Sequence, residues 1–204
     1  MKLLHIDSSI LGARSVSRLL SSKIVEQERR LHPALDVVYR DLACDCALHF
    51  SAAHMAARAG ETLQGAELCS DLELSQEYLD ELFEADIIVI GAPMYNLTVP
   101  SQLKAWIDRI VIAGETFTYD ETGAVRTLLP PGKKVIIAST RGYVYRADTS
   151  TAALEHHERF LKGVFSFLGL RDVTVVRAEG LALGARTRNA AICHAQVQIA
   201  AIRP

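Results

Sequence analysis

Three short stretches hold the residues whose types and spacing suit chemistry. The first, H-I-D-S-S-I-L-G-A-R-S-V-S over residues 5–17, carries four serines and one glycine between an apolar run and a helical pattern. A helix N-terminus offers unpaired N–H groups and partial positive charge, so with serine hydroxyls beside it a phosphate can be held without any lysine. Ser15 also reads as an ordinary N-cap, and Arg14 either reaches such a phosphate or is simply solvated. The stretch lacks G-x-G-x-x-G and G-x-x-x-x-G-K-[ST]. Without the close backbone approach that those glycines permit, a pyrophosphate or triphosphate fits poorly and a terminal monophosphate fits better.

The second stretch, G-A-P-M-Y-N-L-T-V-P over residues 91–100, joins turn formers (Pro93, Asn96) to large flat or polarizable side chains (Met94, Tyr95). Such a loop can cover a planar ring while its backbone bonds to the ring's polar edge, or it can be a surface turn packed on the next helix. The third, S-T-R-G-Y over residues 139–143, again follows a strand with small hydroxyls, an arginine and a glycine, and by itself suits any strand-to-helix turn. These loops contain no Ser-His-Asp set, cysteine nucleophile or carboxylate dyad, and no cluster with metal-ligand spacing is evident. His156 and His157 read as solvated neighbours on a helix, and His54 and Glu179 as structural or pocket-lining groups. The chemistry is therefore expected to belong to a bound cofactor.

Five apolar, β-branched runs position these loops: Leu3–Ile6, Leu35–Tyr39, Ile87–Ile90, Val135–Ala138 and Val173–Val176. Short, nearly continuous runs of this kind are strands buried on both faces, as in a parallel sheet. Helical patterns alternate with them at Ser15–Leu31, Ser70–Ala85, Val99–Ala113, Thr151–Leu168 and Arg186–Ala201. The alternation predicts an α/β doubly wound sheet of five parallel strands, order 2-1-3-4-5, with helices on both faces. A ligand then sits beyond the carboxyl ends at the switch between strands 1 and 3, where the first two loops lie and the third is a neighbour. Two excursions interrupt the repeat: residues 40–69, with one short helix at Ala52–Arg58, and residues 115–131, a hairpin turning at Glu121–Gly123.

The 204 residues suit one domain, 1–204, and a formal charge of −2 argues against a nucleic-acid or anionic-membrane partner. No apolar run approaches the roughly 20 residues of a membrane helix. Asp7 interrupts the first apolar stretch too early for a signal peptide, so the expected location is cytoplasmic. Cys44, Cys46, Cys69 and Cys193 form no C-x-x-C pair and are expected to be reduced, incidental thiols.

Taken in order, S-S-I and S-V-S, A-P-M-Y-N with Q-L-K on the next helix, T-F-T-Y, S-T-R-G and A-E-G resemble the FMN-dependent NADH azoreductase and NAD(P)H:quinone oxidoreductase family over residues 1–184. The resemblance implies a flavodoxin-like fold and one non-covalent FMN per subunit. It places the phosphate on Ser9, Ser15, Val16 and Ser17. Pro93, Met94, Tyr95, Asn96 and Leu97 would border the isoalloxazine and ribityl chain, and Ser139, Thr140, Arg141, Gly142 and Tyr143 the pyrimidine side. It further implies a homodimer with active sites at the interface, where Phe117 and Tyr119 lean over the partner's flavin and Glu179 and Tyr143 line the substrate slot. NADH or NADPH would be the donor, a quinone or azo compound the acceptor, and the kinetics ping-pong. Three positions depart from the family pattern: Val16 stands for the usual Gln, Leu97 for Phe and Tyr143 for Gly. The rivals are a flavodoxin-like electron carrier, which the near-neutral charge disfavours, and an acyl-carrier-protein phosphodiesterase, which would need an activated water.

Overall fold

The computed structural model describes residues 1–61, 65–145 and 150–204. Five parallel strands form the central sheet: β1 (Lys2–Asp7), β2 (Asp36–Asp41), β3 (Ile87–Pro93), β6 (Lys134–Thr140) and β7 (Asp172–Ala178). Their order, β2-β1-β3-β6-β7, is the anticipated 2-1-3-4-5 once the two strands of the excursion are set aside. Those two, β4 (Phe117–Tyr119) and β5 (Val125–Thr127), pair antiparallel. Asp120 Oδ1 closes their turn by accepting the Thr122 and Ala124 N–H groups at 2.9 and 3.0 Å, and Gly123 supplies the positive φ of 80°.

The alternation of side chains along each strand builds two cores. Leu4, Ile6, Ile88, Ile90, Val135 and Ile137 face α3 (Ala66–Glu84), α4 (Ser101–Ile110) and α5 (His157–Phe167), whose Leu82, Trp106 and Phe165 are fully buried there. Leu3, Val89, Ile136 and Val176 face α1 (Val16–Leu31) and α6 (Ala185–Ala200), against Leu20, Ile24 and Ala195. Both faces of the central strands β1, β3 and β6 thus bury branched side chains, which is why those runs read as continuous rather than alternating, whereas β2 and β7, at the sheet edges, are only partly buried. Gly91 is required where β3 passes β1: a Cβ there would stand 2.2 Å from Asp7 Oδ1.

Several boundaries move. Helix α3 begins at Ala66 rather than Ser70, and α4 starts at Ser101 and stops at Ile110, because Pro100 precedes its first turn and Thr116 Oγ1 takes the Ile110 carbonyl at 2.7 Å. The start expected at Thr151 is a separate 3-10 turn, Ser150–Leu154. Helix α5 opens only at His157, where Glu155 Oε1 accepts the His157 and Glu158 N–H groups at 3.0 and 2.7 Å. In the excursion at 40–69 the short helix α2 spans Ala52–Arg58, while positions 62–64 lie outside the described residues. A buried polar knot ties this excursion down. Asp71 Oδ2 meets His54 Nε2 at 3.0 Å and Arg109 Nη2 at 2.8 Å, and the same Arg109 nitrogen donates to the Leu48 carbonyl.

Candidate active site

The carboxyl ends of β1, β3 and β6 converge on one cleft of about 210 Å³, lined by Ser9, Ser15, Val16, Pro93, Met94, Tyr95, Thr140, Arg141 and Gly142. Leu11, Arg14, Leu181, Ala182 and Arg188 complete it. Arg188 in the first turn of α6 and the 181–182 pair were not anticipated; their only signal in the sequence is that they follow the fifth strand. A second cavity shares Tyr95 and adds Ile10, Asn96, Thr98 and Gln102.

At the first loop, Ser15 caps α1. Its Oγ accepts the Arg18 N–H at 3.3 Å and shares a hydrogen bond with Ser17 Oγ at 2.9 Å. The N–H groups of Val16 and Ser17 find no acceptor among the described residues. A capped helix start with two free N–H groups and a wall of hydroxyls suits a monophosphate dianion. Arg18 braces the loop from outside: Nε and Nη2 donate to the Ser9 carbonyl at 3.2 and 2.8 Å, while Nη1 and Nη2 hold Asp41 at the end of β2 at 2.6 and 2.5 Å. Tyr39 OH joins this brace, accepting from Arg18 Nη1 at 3.0 Å and donating to Asp7 Oδ2 at 3.1 Å.

The second loop is a tight turn in which Tyr95 and Thr98 exchange backbone hydrogen bonds at 2.9 and 3.1 Å. Both central residues have positive φ, 46° at Asn96 and 74° at Leu97. Asn tolerates this conformation; for Leu it stores strain, which folded proteins retain mainly at functional positions. Of the backbone donors between Met94 and Leu97, two are already used: Met94 N–H by the Thr140 carbonyl at 2.7 Å and Tyr95 N–H by Thr98. The donors left for a ligand are those of Asn96 and Leu97.

In the third loop the carbonyls are consumed. Leu181, Ala182 and Gly180 N–H donate to the carbonyls of Arg141, Gly142 and Tyr143 at 3.2, 3.0 and 3.3 Å. Gly142 and Tyr143 N–H have no acceptor among the described residues. The loop therefore presents donors, the polarity that an acceptor-rich heterocycle edge needs. Ser9 Oγ and Tyr95 OH, 3.0 Å apart, link the first loop to the second, and Met94 N–H links the second to the third.

Some named residues sit differently. Ser139 is fully buried, its hydroxyl donating to Glu158 Oε1 at 2.7 Å, and Arg141 is 3% exposed with its guanidinium turned onto the same carboxylate. Ser139 is paired within the sheet on both sides, and the Arg141 backbone is used as well, its N–H donating to the Ala178 carbonyl at 3.0 Å, so the free donors of this loop are those of Gly142 and Tyr143. Phe117 is core, 6% exposed and edge-on to Phe167 at 4.7 Å, so of the hairpin's two rings only Tyr119 stands free. Tyr143 is exposed at the rim. Glu179 faces Arg141 Nη1 at 3.4 Å. His157 is not solvated but fully buried, and burial followed by the Arg141 charge pushes it down to about 4. His54 is the structural group anticipated, within the Asp71–Arg109 knot. All four cysteines are free and exposed, and among the described residues no helix is long and apolar enough to cross a membrane.

A parallel sheet of this order, with its cleft at the switch between β1 and β3, defines a flavodoxin-like protein, and the model of the flavodoxin-like fold family matches residues 1–202. FMN-dependent NADH:quinone oxidoreductase 2 of Pseudomonas aeruginosa is 52% identical over 203 residues, 98% of this chain and 97% of its own. A Pseudomonas putida protein named FMN-dependent NADH:quinone oxidoreductase 1 is 50% identical over 201 residues, with 98% and 97% covered. Among solved structures, an FMN-dependent NADH-azoreductase from Bacillus anthracis in complex with FMN superposes with a TM-score of 0.84 at 28% identity, covering 97% of this chain and 95% of that one. The chain belongs to the FMN-dependent NADH:quinone oxidoreductase family.

Proposed function

We propose that this protein is an FMN-dependent oxidoreductase that passes two electrons from NADH or NADPH to quinones or azo compounds, with the whole chain, 1–204, acting as one flavodoxin-like unit. The observation that carries it is the cleft itself, where a helix start with free N–H groups and two donor-presenting loops surround one space. The residues present fit FMN. The N–H groups of Val16 and Ser17 with the Ser9 and Ser15 hydroxyls would hold its phosphate. Met94, Tyr95, Asn96 and Leu97 would flank the ring, and the Gly142 and Tyr143 N–H groups would meet the pyrimidine edge.

When bound, FMN would supply the two-electron redox chemistry between the nicotinamide and the acceptor. The chain's own part is to bind, orient and shield. Fixed backbone donors stabilise negative charge without having to reorganise. The tied carbonyls of residues 141–143 keep acceptors away from an electron-rich edge. Because one cleft serves donor and acceptor in turn, the kinetics are ping-pong, with parallel double-reciprocal lines when NADH and quinone are both varied; intersecting lines would contradict a shared cleft.

The subunits pair as a homodimer, with exposed Ile10, Leu11, Tyr119 and Leu183 available to the neighbouring copy, and the protein works in the cytoplasm without metal. Purified protein should be yellow, or become so on adding FMN, and should oxidise NADH with a quinone when no other reductase is present. A flavin-loaded protein that needs an added reductase would instead be an electron carrier, and a protein that takes up no FMN defeats the reading.

A further inference from the structure

Arg141 belongs to the cleft wall, yet its charge is met from behind. Glu158 Oε1 accepts from Nη2, and Glu179 Oε1 lies 3.4 Å from Nη1. Glu158, 4% exposed in the first turn of α5, accepts in addition from Ser139 Oγ at 2.7 Å, from Arg177 Nε at 2.8 Å and from Arg177 Nη2. One carboxylate thus joins the end of β6, the third loop and β7. Burial alone would raise its pKa, but hydrogen bonds from Arg177 and Ser139 and the Arg141 charge carry it down to about 2, so it is ionised at neutral pH. His157 beside it, with Nδ1 3.5 Å from Ser139 Oγ, is neutral there and adds no charge.

We propose that Glu158 is a positioning residue that fixes the third loop and cancels the Arg141 charge behind it, thereby setting the reduction potential of the flavin in the cleft. This rests on the FMN reading. Two-electron reduction leaves a flavin ring more negative, so a cation near it favours the reduced form and an anion opposes it. Glu158 removed takes one negative charge from between the two guanidinium groups, and Glu179, 3.4 Å from Arg141 Nη1, and Glu155, 3.9 Å from Nη2, offset only part of their charge. Arg177 removed leaves the carboxylate in excess by the same logic, with a weaker effect because that side chain is 42% exposed.

The test is the midpoint potential of the FMN-loaded protein by anaerobic dye equilibration at pH 7, with the Kd of oxidised FMN measured alongside. Glu158→Gln should tighten reduced relative to oxidised FMN about tenfold, a rise of ~30 mV for a two-electron couple. Arg177→Gln should move the potential the opposite way by a smaller amount. A purely structural role would weaken FMN binding in both variants with no opposed shift. Potentials that stay put, or move in the same direction, with FMN still bound overturn the role of Glu158 alone. Wild-type protein that binds no FMN overturns the parent reading and this one with it. Should Glu158→Gln fail to fold, Arg177→Gln, which keeps the buried Glu158–Arg141 pair, reads the sign by itself.

Discussion

Ser15 serves two ends with one hydroxyl: it caps α1 through the Arg18 N–H and stands in the cleft wall. Ser15→Ala should therefore cost about 1 kcal/mol of stability, read from the urea midpoint, and also weaken FMN binding several-fold in a fluorescence titration. A loss of stability with unchanged FMN affinity would leave it a cap only. Tyr143 carries the opposite kind of expectation. It is 61% exposed beside the cleft residue Gly142, so Tyr143→Gly should leave stability nearly unchanged and alter kcat/KM unequally across a panel of quinones and azo dyes. Identical ratios across the panel would remove it from substrate selection. The serines were legible as a phosphate site because a helix start and a hydroxyl cluster are both local features. The roles of Ser139 and Arg141 were not, because Glu158 lies 17 or more positions away and only the fold brings it to them.

At the scale of elements, the central strands β1, β3 and β6 were readable because they are buried on both faces, the edge strands β2 and β7 by their β-branched runs although they are largely half-exposed, and the starts of α3 and α5 were not readable. Glu155 opens α5 with its side chain, and nothing in the residues 151–168 pattern distinguishes that turn from the one before it. The same helix start predicts a pH dependence. His157 titrates near 6.5 when unfolded and near 4 when folded, so the unfolded chain binds more protons in between, and stability falls as pH drops across that window by on the order of 3 kcal/mol. Glu158, held at about 2 against 4.5, adds a further loss below pH 4.5. Urea midpoints at pH 7 and pH 5 should differ accordingly, and His157→Gln should flatten the upper part of the slope. In the excursion, Asp71→Asn leaves Arg109, 1% exposed, without its counter-ion, at a cost of about 3–5 kcal/mol by the same measurement. The short helix Ala52–Arg58 of the excursion was legible, but its anchoring was not, because a polar knot and not an apolar stripe holds it.

For the whole molecule, the order of β and α runs was enough to place the cleft, since a doubly wound sheet has its switch wherever the strand order reverses. What surrounds the cleft was less legible. Phe117 reads from sequence as a ring for a partner's site and proves to be core, because Phe167 lies across from it on α5. With Tyr119 the free ring of the hairpin, sedimentation at micromolar concentration should give twice the chain mass, and Tyr119→Ser should reduce turnover more than it changes folding. A monomer with full activity would mean that one chain completes its own site.

The brace made by Arg18 bears on how the first loop could be moved between proteins. The contiguous stretch from His5 to Ser17 looks like a portable cassette, but its shape is held by a guanidinium just beyond it and by Tyr39 and Asp41 on the neighbouring strand. Transplanted without those three, the serines would arrive with nothing to hold the Ser9 carbonyl in place. The smallest transferable unit is thus a discontinuous one, two strand ends and the turn of helix between them.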